Sequence, residues 1–367
     1  MMKPESRQLK EVVIIGVNPI KFKEDTIDYK IAAYPVRENA PVEDVLKKMP
    51  GVDVDNNGNV TAQGKSITKI RINGKDFMGG DVQSATKNIP ADILESVQVI
   101  DDYGDQANLT GVRTGEPNKI LNFTIRNDKN YGYSLQANAG AGKDALPQAP
   151  GIENANRYVG SVNFFNFKGN RQLTVLGNIN NINTNTFNFG GGGGGGNFGG
   201  GGGGGQRGGG AQRGGNNGLA SVKDGITIAR AIGTNYRDQW GKNISVYGSY
   251  SFSDNSTYTN SNTERKNNGA GTTNTNQTTA NDNPINHRFN FNLEWKPDTV
   301  NYLKISPSFN YSSTNSTSTE NVNYQQGGTT TQAYTTNLRS NSTAPSFGGN
   351  LLFNHRFEKR GRNFSLF

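Results

Sequence analysis

The chain of 367 residues has no cysteine, only two histidines and no long apolar run. The lack of cysteine excludes a disulfide framework and thiolate zinc sites. No stretch of eighteen apolar residues occurs, which excludes a membrane-spanning helix. Apolar residues make up 32% of the chain and its mean hydropathy is −0.71. This is a poor composition for one globular core of this length, and taken alone it would indicate extensive disorder.

Catalytic motifs are also lacking. His287 and His355 lie in separate predicted strands, and no carboxylate stands near them at the spacing of a triad or a metal site. We therefore expect no enzyme activity, no resident metal and no cofactor.

What the chain does have is a repeated two-residue period between residues 131 and 367. One face of the run 242–253 carries Ile244, Val246, Gly248, Tyr250 and Phe252. The other face is polar, with Tyr247 as its only aromatic residue, and runs 134–139, 288–296 and 303–311 alternate in the same way. A strand with an apolar and a polar face suits a wall between lipid and a wet lumen, and only every second residue must then be apolar.

The connections between these runs distinguish a membrane barrel from a soluble sandwich, which also alternates. Short connections at 168–170, 237–242, 297–298 and 358–363 take turns with long polar ones at 141–156, 183–224, 254–286 and 312–346. Single-chain outer-membrane barrels have short periplasmic turns and long extracellular loops. Aromatic residues near the short turns predict an interfacial girdle, namely Phe165, Phe167, Tyr236, Trp240, Trp295 and Tyr302. The alternative is that they anchor the core of a sandwich.

Some residues do not fit a complete regular barrel. His355 falls on an apolar face, and Pro307 requires a local bulge. No apolar signal segment opens the chain, and residues 363–367 are shorter than the about 9 to 11 residues of a spanning strand. We expect a fragment with about eight full strands that lacks its signal peptide and the C-terminal part of its barrel; a small eight-stranded barrel ending in Phe367 is the alternative.

Positive charge is concentrated in the repeated part. Residues 1–130 contain 18 Lys and Arg against 19 Asp and Glu, whereas residues 131–367 contain 20 against 11. The surplus could serve a positive lumen, contact with outer-membrane lipid and lipopolysaccharide, or an anionic ligand, or it could be solvated charge without a ligand.

The first 130 residues predict a compact α+β unit. Residues 41–49 predict a short helix, and 67–77 predict a hairpin because Asn73-Gly74 supplies the positive φ angles of a type I′ turn. Residues 81–87 and 91–96 predict helical pieces, and 97–100 a strand. Further short strands are predicted at 52–54 and 60–62.

A family resemblance covers residues 10–130. Its motifs are VEDVLKKMPGV at 42–52, Gly58-Asn59-Val60, INGKDF at 72–77, Gly79-Gly80-Asp81, IPA at 89–91 and VQVI at 97–100. Together they resemble the plug domain of TonB-dependent outer-membrane receptors. The resemblance implies an N-terminal segment at 1–9, a plug at 10–130 inside the first part of a 22-stranded barrel at 131–367, and location in the cell outer membrane. It also implies energy-coupled uptake of a scarce nutrient, such as a metal chelate, a vitamin or an oligosaccharide, with the inner-membrane TonB complex as partner.

The segment facing that partner would be similar to a TonB box. It consists of Glu11, Val12, Val13, Ile14 and Ile15. An extended β-branched segment can add as a strand to the sheet edge of another protein. The other interpretation is an ordinary first strand of the plug.

A glycine tract at 190–215 contains Gln206-Arg207 and Gln212-Arg213, which are similar to RGG segments that bind nucleic acid. Only two arginines occur in it, and it occupies the place of a long extracellular loop, so we expect no nucleic-acid partner. The rival function from another class is a barrel without transport activity that acts as a surface adhesin or structural anchor.

Overall fold

The computed structural model describes residues 18–55, 58–144, 156–183, 225–359 and 361–367. The predicted partner segment, Glu11 to Ile15, and the glycine tract lie outside the described residues. Among the residues that are described, no helix is both long and apolar enough to cross a membrane.

The first part of the chain forms an α+β body around an eight-stranded sheet. Its strands are β1 Ile20–Phe22, β2 Thr26–Lys30, β3 Val52–Val54, β4 Val60–Ala62, β5 Lys65–Ile72, β6 Lys75–Asp76, β7 Leu94–Asp102 and β8 Asn118–Ile125. Its helices are α1 Val42–Leu46, α2 Val82–Asn88 and α3 Asp105–Thr110. The strand order is β1-β2-β7-β8-β5-β4-β3, with β6 paired to β5, and β5 runs parallel to β8. We call residues 18–125 of this body the plug.

Local sequence signals explain several of these elements. Pro41 precedes α1 with φ −63°, the value its ring imposes before a first helical turn. Asn73 and Gly74 have φ angles of 47° and 79° between β5 and β6, which confirms the predicted tight hairpin. The helical prediction at 91–96 is wrong beyond Ile93, because β7 begins at Leu94 and pairs with both β2 and β8.

The rest of the chain forms one antiparallel sheet of nine strands in sequential order. The strands are β9 Tyr131–Lys143, β10 Asn156–Lys168, β11 Arg171–Asn180, β12 Ile226–Trp240, β13 Ile244–Asn267, β14 Thr272–Trp295, β15 Asn301–Gln326, β16 Thr329–Arg356 and β17 Asn363–Leu366. Eight of them are full strands, and the last has four residues. This sheet, which we call the wall, confirms the predicted combination of an α+β plug with part of an antiparallel barrel.

Two connections predicted as long loops are strands instead. Residues 254–286 and 312–346 continue the ladders of β13 to β16, so that these four strands have 24 to 28 residues each. The tips of the two hairpins are short turns at 268–271 and 327–328. Ser, Thr and Asn have no apolar pattern that reveals a strand, but their backbone groups pair with the neighbouring strand like any others.

The two faces of the wall have different surroundings. Tyr236, Trp240 and Trp295 are 38%, 51% and 43% exposed and lie on the outer face, as the predicted girdle requires. Phe165 and Phe167 are wrongly placed in that prediction, because they belong to the inner face and join the buried core of the plug.

Tyr302 is also wrongly placed in the girdle. It lies next to Glu294 on the inner face, which it shares with the plug-contacting Lys304. Residues near the short turns therefore belong to the girdle only if they occupy the outward phase of the strand.

Pro307 lies within β15 without a bulge. The register between β14 and β15 is the same on both sides of it, with Asn290 opposite Ser308 and Leu293 opposite Ile305. The two rungs between these pairs are missing from the ladder. The bulge predicted here is therefore wrong: the strand loses pairing locally and keeps its phase.

One buried apolar cluster joins the plug to the wall. Ile70, Phe77 and Phe123 of the plug are almost fully buried in it, and so are Phe165 and Leu176 of the wall. Burial of large apolar side chains on both partners stabilises the docking of the plug against the inner face.

Candidate functional site between plug and wall

The hairpin of β5 and β6 contacts the inner face of the wall through a buried ion pair. Lys75 Nζ lies 2.5 Å from Glu294 Oε2, and the two side chains are 22% and 9% exposed. Tyr247 donates its hydroxyl hydrogen to Glu294 Oε1 over 2.9 Å. Its ring lies beneath the Lys75 ammonium, with 5.1 Å between Nζ and the ring centroid. Glu294 thus binds one group from the plug and one from the wall, which compensates the burial of its charge.

Backbone groups of the plug bind polar side chains of the wall in the same region. Arg237 donates from one guanidinium nitrogen to the carbonyl oxygens of Ile72 and Asn73, at 3.2 and 3.3 Å. The backbone N–H of Met78 donates to Asn235 Oδ1 over 3.0 Å. These bonds position the hairpin directly against β12, and they do not depend on which side chains the turn carries.

Gly79 lies where the plug chain approaches β14 closely. It has a φ of 67°, and a Cβ there would lie 2.6 Å from Asn290 Nδ2. An L side chain at this position would be strained at this φ and would require the Asn290 side chain to move. The glycine therefore lets the plug chain pass directly against the wall.

A second ion pair links α3 to β15. Asp105 Oδ2 accepts from Lys304 Nζ over 2.6 Å, and the Lys304 side chain is 10% exposed. Behind it, Arg71 binds Asp76 and Asp102, each over 3.0 Å. The charged side chains thus form a series from the plug interior to the wall, in which each positive group lies next to a negative one.

Burial and charge act on the pKa values of the plug residues in this network. Burial lowers the pKa of Lys75, and the attraction of Glu294 offsets that effect only in part. Burial alone would raise the pKa of Asp76, but Lys69 and Arg71 outweigh it and hold that pKa below its usual value. Asp76 is therefore charged at neutral pH, and the ammonium of Lys75 depends on its carboxylate partner.

These contacts lie at the end of the wall where the short turns are. Arg237, Glu294 and Lys304 are each within four residues of the turns that follow Trp240 and Trp295. The plug is thus attached by charge and hydrogen bonds near the short-turn end.

The sequence shows most of these residues but does not reveal their role. Tyr247 is the one aromatic residue on a polar strand face, and it proves to be 3% exposed against the plug. Glu294 and Lys304 occupy polar-face positions that also suit a solvated lumen. Only their charge, in a face of Ser and Asn, could have identified them.

The structure shows no metal site in the part of the chain that it describes. Among the described residues, no group of three or more His, Asp or Glu side chains is arranged to hold a metal ion. His287 Nδ1 is 2.9 Å from the Tyr250 hydroxyl on the outer face, and His355 Nδ1 is 2.8 Å from Asn301 Oδ1. The two histidines therefore lie in separate local contacts.

Comparison with known proteins gave matches among solved structures. No protein-family model and no curated protein matches the chain. The siderophore receptor PirA from Pseudomonas aeruginosa matches with 9% identity over 92% of this chain and 63% of that one, at a TM-score of 0.30. The FrpB iron transporter from Neisseria meningitidis (F3-3 variant) matches with 11% identity over 95% and 64%, at a TM-score of 0.29. The outer membrane transporter YddB from Escherichia coli matches with 7% identity over 92% and 60%, at a TM-score of 0.32.

The chain spans somewhat less than two thirds of the length of these three structures. The chain contains the plug, the wall and the charged contacts between them. The chain thus has the architecture of a plug docked inside part of an antiparallel β-wall, and the solved structures that it resembles are outer-membrane receptors and transporters.

Proposed function

We propose that this chain is the N-terminal part of a TonB-dependent outer-membrane receptor that imports a scarce nutrient. A metal chelate, a vitamin or an oligosaccharide would bind on the side of the long hairpins. The inner-membrane TonB complex would then pull on Glu11 to Ile15 and displace the plug. The wall would lie in the outer membrane, and the polar hairpins of β13 to β16 would extend outside the cell near lipopolysaccharide.

The observation that carries this proposal is the plug itself. A body with its own sheet occupies the inner face of the wall and is attached by the pairs Lys75–Glu294 and Asp105–Lys304. A barrel that only anchors or adheres needs no separately folded body on its inner face. Ion pairs also suit a body that must be displaced, because water can hydrate their charges once they separate. A transporter needs a barrier that stays closed and can be displaced.

The partner segment provides the test. A strand that adds to another sheet needs its backbone N–H groups, and proline has none. We expect Val13→Pro in the whole protein to reduce energised uptake to the level of a strain without TonB. Ser6→Pro, which lies upstream of the segment, is the control and should leave uptake unchanged.

Uptake would be followed in cells with a labelled ferric chelate, cobalamin and a maltooligosaccharide as separate probes. One probe should enter cells that carry the wild-type protein and the Ser6→Pro variant, and should not enter cells with Val13→Pro. Equal surface amounts of all three proteins must be verified by immunoblot. Uptake that persists in Val13→Pro, or entry of none of the probes, would contradict the proposal.

A further inference from the structure

We propose that α3 is a hinged gate, which lifts away from β15 and opens a passage between plug and wall while the plug sheet stays folded. This inference rests on the proposed transport function, because it states where the imported nutrient would leave the lumen. It concerns six residues, Asp105–Thr110, and not the plug as a whole.

Both ends of α3 are glycines with positive φ angles. Gly104 has a φ of 91° and Gly111 a φ of 75°. No atom lies within 4 Å of the place where a Cβ would be at either position. Glycine at both ends leaves the backbone dihedral angles less restricted than any other residue would, as suits a hinge.

The body of α3 contributes little to the core. Ala107 is its one buried residue, at 9% exposed, and it is not a member of the apolar cluster that joins plug and wall. Lifting the helix therefore exposes the methyl group of Ala107 and the rest of the half-buried Leu109, and no member of the apolar cluster. The neighbouring strand β7, by contrast, places Val97 and Val99 in that cluster and cannot leave it at a similar cost.

A few polar contacts hold α3 in place. Asp105 binds Lys304 of the wall, and the carbonyl oxygen of Thr110 accepts from Asn363 Nδ2 over 3.4 Å. Asn108 Nδ2 donates to Asp102 Oδ1 of the plug over 3.4 Å. The last two are long hydrogen bonds, so the ion pair is the strongest of these contacts. Lys304 is well buried and needs an anionic partner. The ion pair between Asp105 and Lys304 is therefore the contact that holds α3 closed against β15.

A cavity already lies where the passage would open. It has a volume of about 270 Å³ and lies between the start of α3 and the inner side of β15 and β16. Gln106 lines it from α3, and Ser306 and Asn350 line it from the wall. Leu352 and Phe367 add apolar surface to this lining, so that it is polar and apolar in equal parts, and the Asp105–Lys304 pair forms part of its boundary. Opening the pair would join this space to the short-turn side of the plug.

The test measures how readily Ala107 becomes accessible. The chain has no cysteine, so Ala107→Cys introduces a single thiol into it, and the purified whole protein in detergent is treated with a hydrophilic maleimide. Adding Lys304→Gln should accelerate labelling about tenfold, because the substitution removes the ion pair that holds α3 against β15. Asp105→Asn should give a similar acceleration, and it replaces Lys304→Gln if that variant fails to fold. The two substitutions together should accelerate labelling no more than either alone.

Ser96→Cys is the matched control, because Ser96 is 2% exposed in β7 of the same plug. Its labelling should stay slow with and without Lys304→Gln. Equal acceleration at both positions would mean that the plug loosens as a whole, and this would overturn the gate. Unchanged labelling at Ala107→Cys would overturn it too. Neither result depends on uptake, so failure of the Val13→Pro experiment would be distinguishable from failure of this one.

Discussion

Glu294 is the carboxylate of the wall to which the tip of the plug hairpin is attached. Its two carboxylate oxygens bind Lys75 from the plug and Tyr247 from the wall. The Glu294 side chain is only 9% exposed, so water replaces a lost partner poorly while the plug stays docked. The stability of docking therefore responds sharply to this one position.

Replacing Glu294 with glutamine leaves the Lys75 ammonium buried without a counter-charge. We expect the free energy of opening of the β5–β6 hairpin to fall by about 3 kcal/mol, since breaking a buried pair leaves a charge uncompensated. Hydrogen exchange of the hairpin amides would measure this. Glu95→Gln is the control, because the Lys30–Glu95 pair is half exposed and such pairs contribute about 0.2 to 1 kcal/mol. Similar effects of the two substitutions would show that Lys75 finds water when Glu294 is neutral.

At the scale of the secondary-structure element, α2 shows how burial and capping oppose each other. Asp81 precedes the helix and accepts from the backbone N–H of Ser84 over 2.9 Å. Burial raises the pKa of Asp81, and the Ser84 bond and the charge of Arg288 only partly offset this. The Asp81 side chain thus caps the helix well, but burial of its negative charge lowers the stability of the folded plug.

The raised pKa determines the sign of a pH effect. Between the usual value of 3.8 and the folded-state pKa, the folded plug binds the Asp81 proton more tightly than the unfolded chain does. This contribution to the unfolding free energy is therefore greatest below pH 3.8 and is lost as the pH rises through the folded pKa. Asp81→Asn should remove this decrease of the unfolding free energy with rising pH. At neutral pH the variant should be at least as stable as the wild type.

Asp81→Ala separates the charge from the cap. It removes both, and we expect it to lower the unfolding free energy by about 1 kcal/mol at neutral pH, as loss of an N-cap does. Urea unfolding at a series of pH values would measure all three proteins. A stability of Asp81→Asn that falls with pH as steeply as that of the wild type would assign the titration to another group.

At the scale of the whole molecule, the wall separates two environments by the phase of its strands. The outer face carries Ile305, Leu293 and Leu351 side by side in β15, β14 and β16, whereas the neighbouring positions Lys304 and Leu352 lie toward the plug. An outer face of this kind is stable in lipid and is a liability in water.

Ile305 tests that environment because it is 40% exposed in the middle of this apolar band. We expect Ile305→Arg to lower the folding free energy in lipid vesicles by about 1 to 2 kcal/mol, because the cost of arginine on the lipid face falls from the bilayer centre toward the interface, where the neighbouring Trp295 lies. Asn350→Arg is the control at a similar height on the inner face, and it should cost much less. Folding would be followed by urea titration in vesicles, and equal costs would contradict a lipid-facing outer surface.

How much of this structure the sequence predicts differs between its parts. The hairpin at Asn73-Gly74, helix α1 and the phase of the wall strands were predictable, because each depends on neighbours within a few residues. The polar strands at 254–286 and 312–346 were not, because Ser, Thr and Asn suit loops and strands equally and only the partner strand decides. For Phe165 and Phe167, the position near a short turn was less informative than whether the residue points inward or outward in the alternation of its strand.

The alternation of side chains and the turn residues by themselves determined that this chain forms a two-faced antiparallel wall preceded by an α+β unit. Side-chain direction in a strand is a local property with a period of two, so it can be read directly from the sequence. Only the tertiary structure decided which polar-face residues meet the plug. Lys75 and Glu294 are 219 residues apart in the chain, and no local pattern relates them. Their pairing follows from the docking of two sheets. Because the sheets dock, residues at ordinary polar positions of the wall become the contacts that attach the plug.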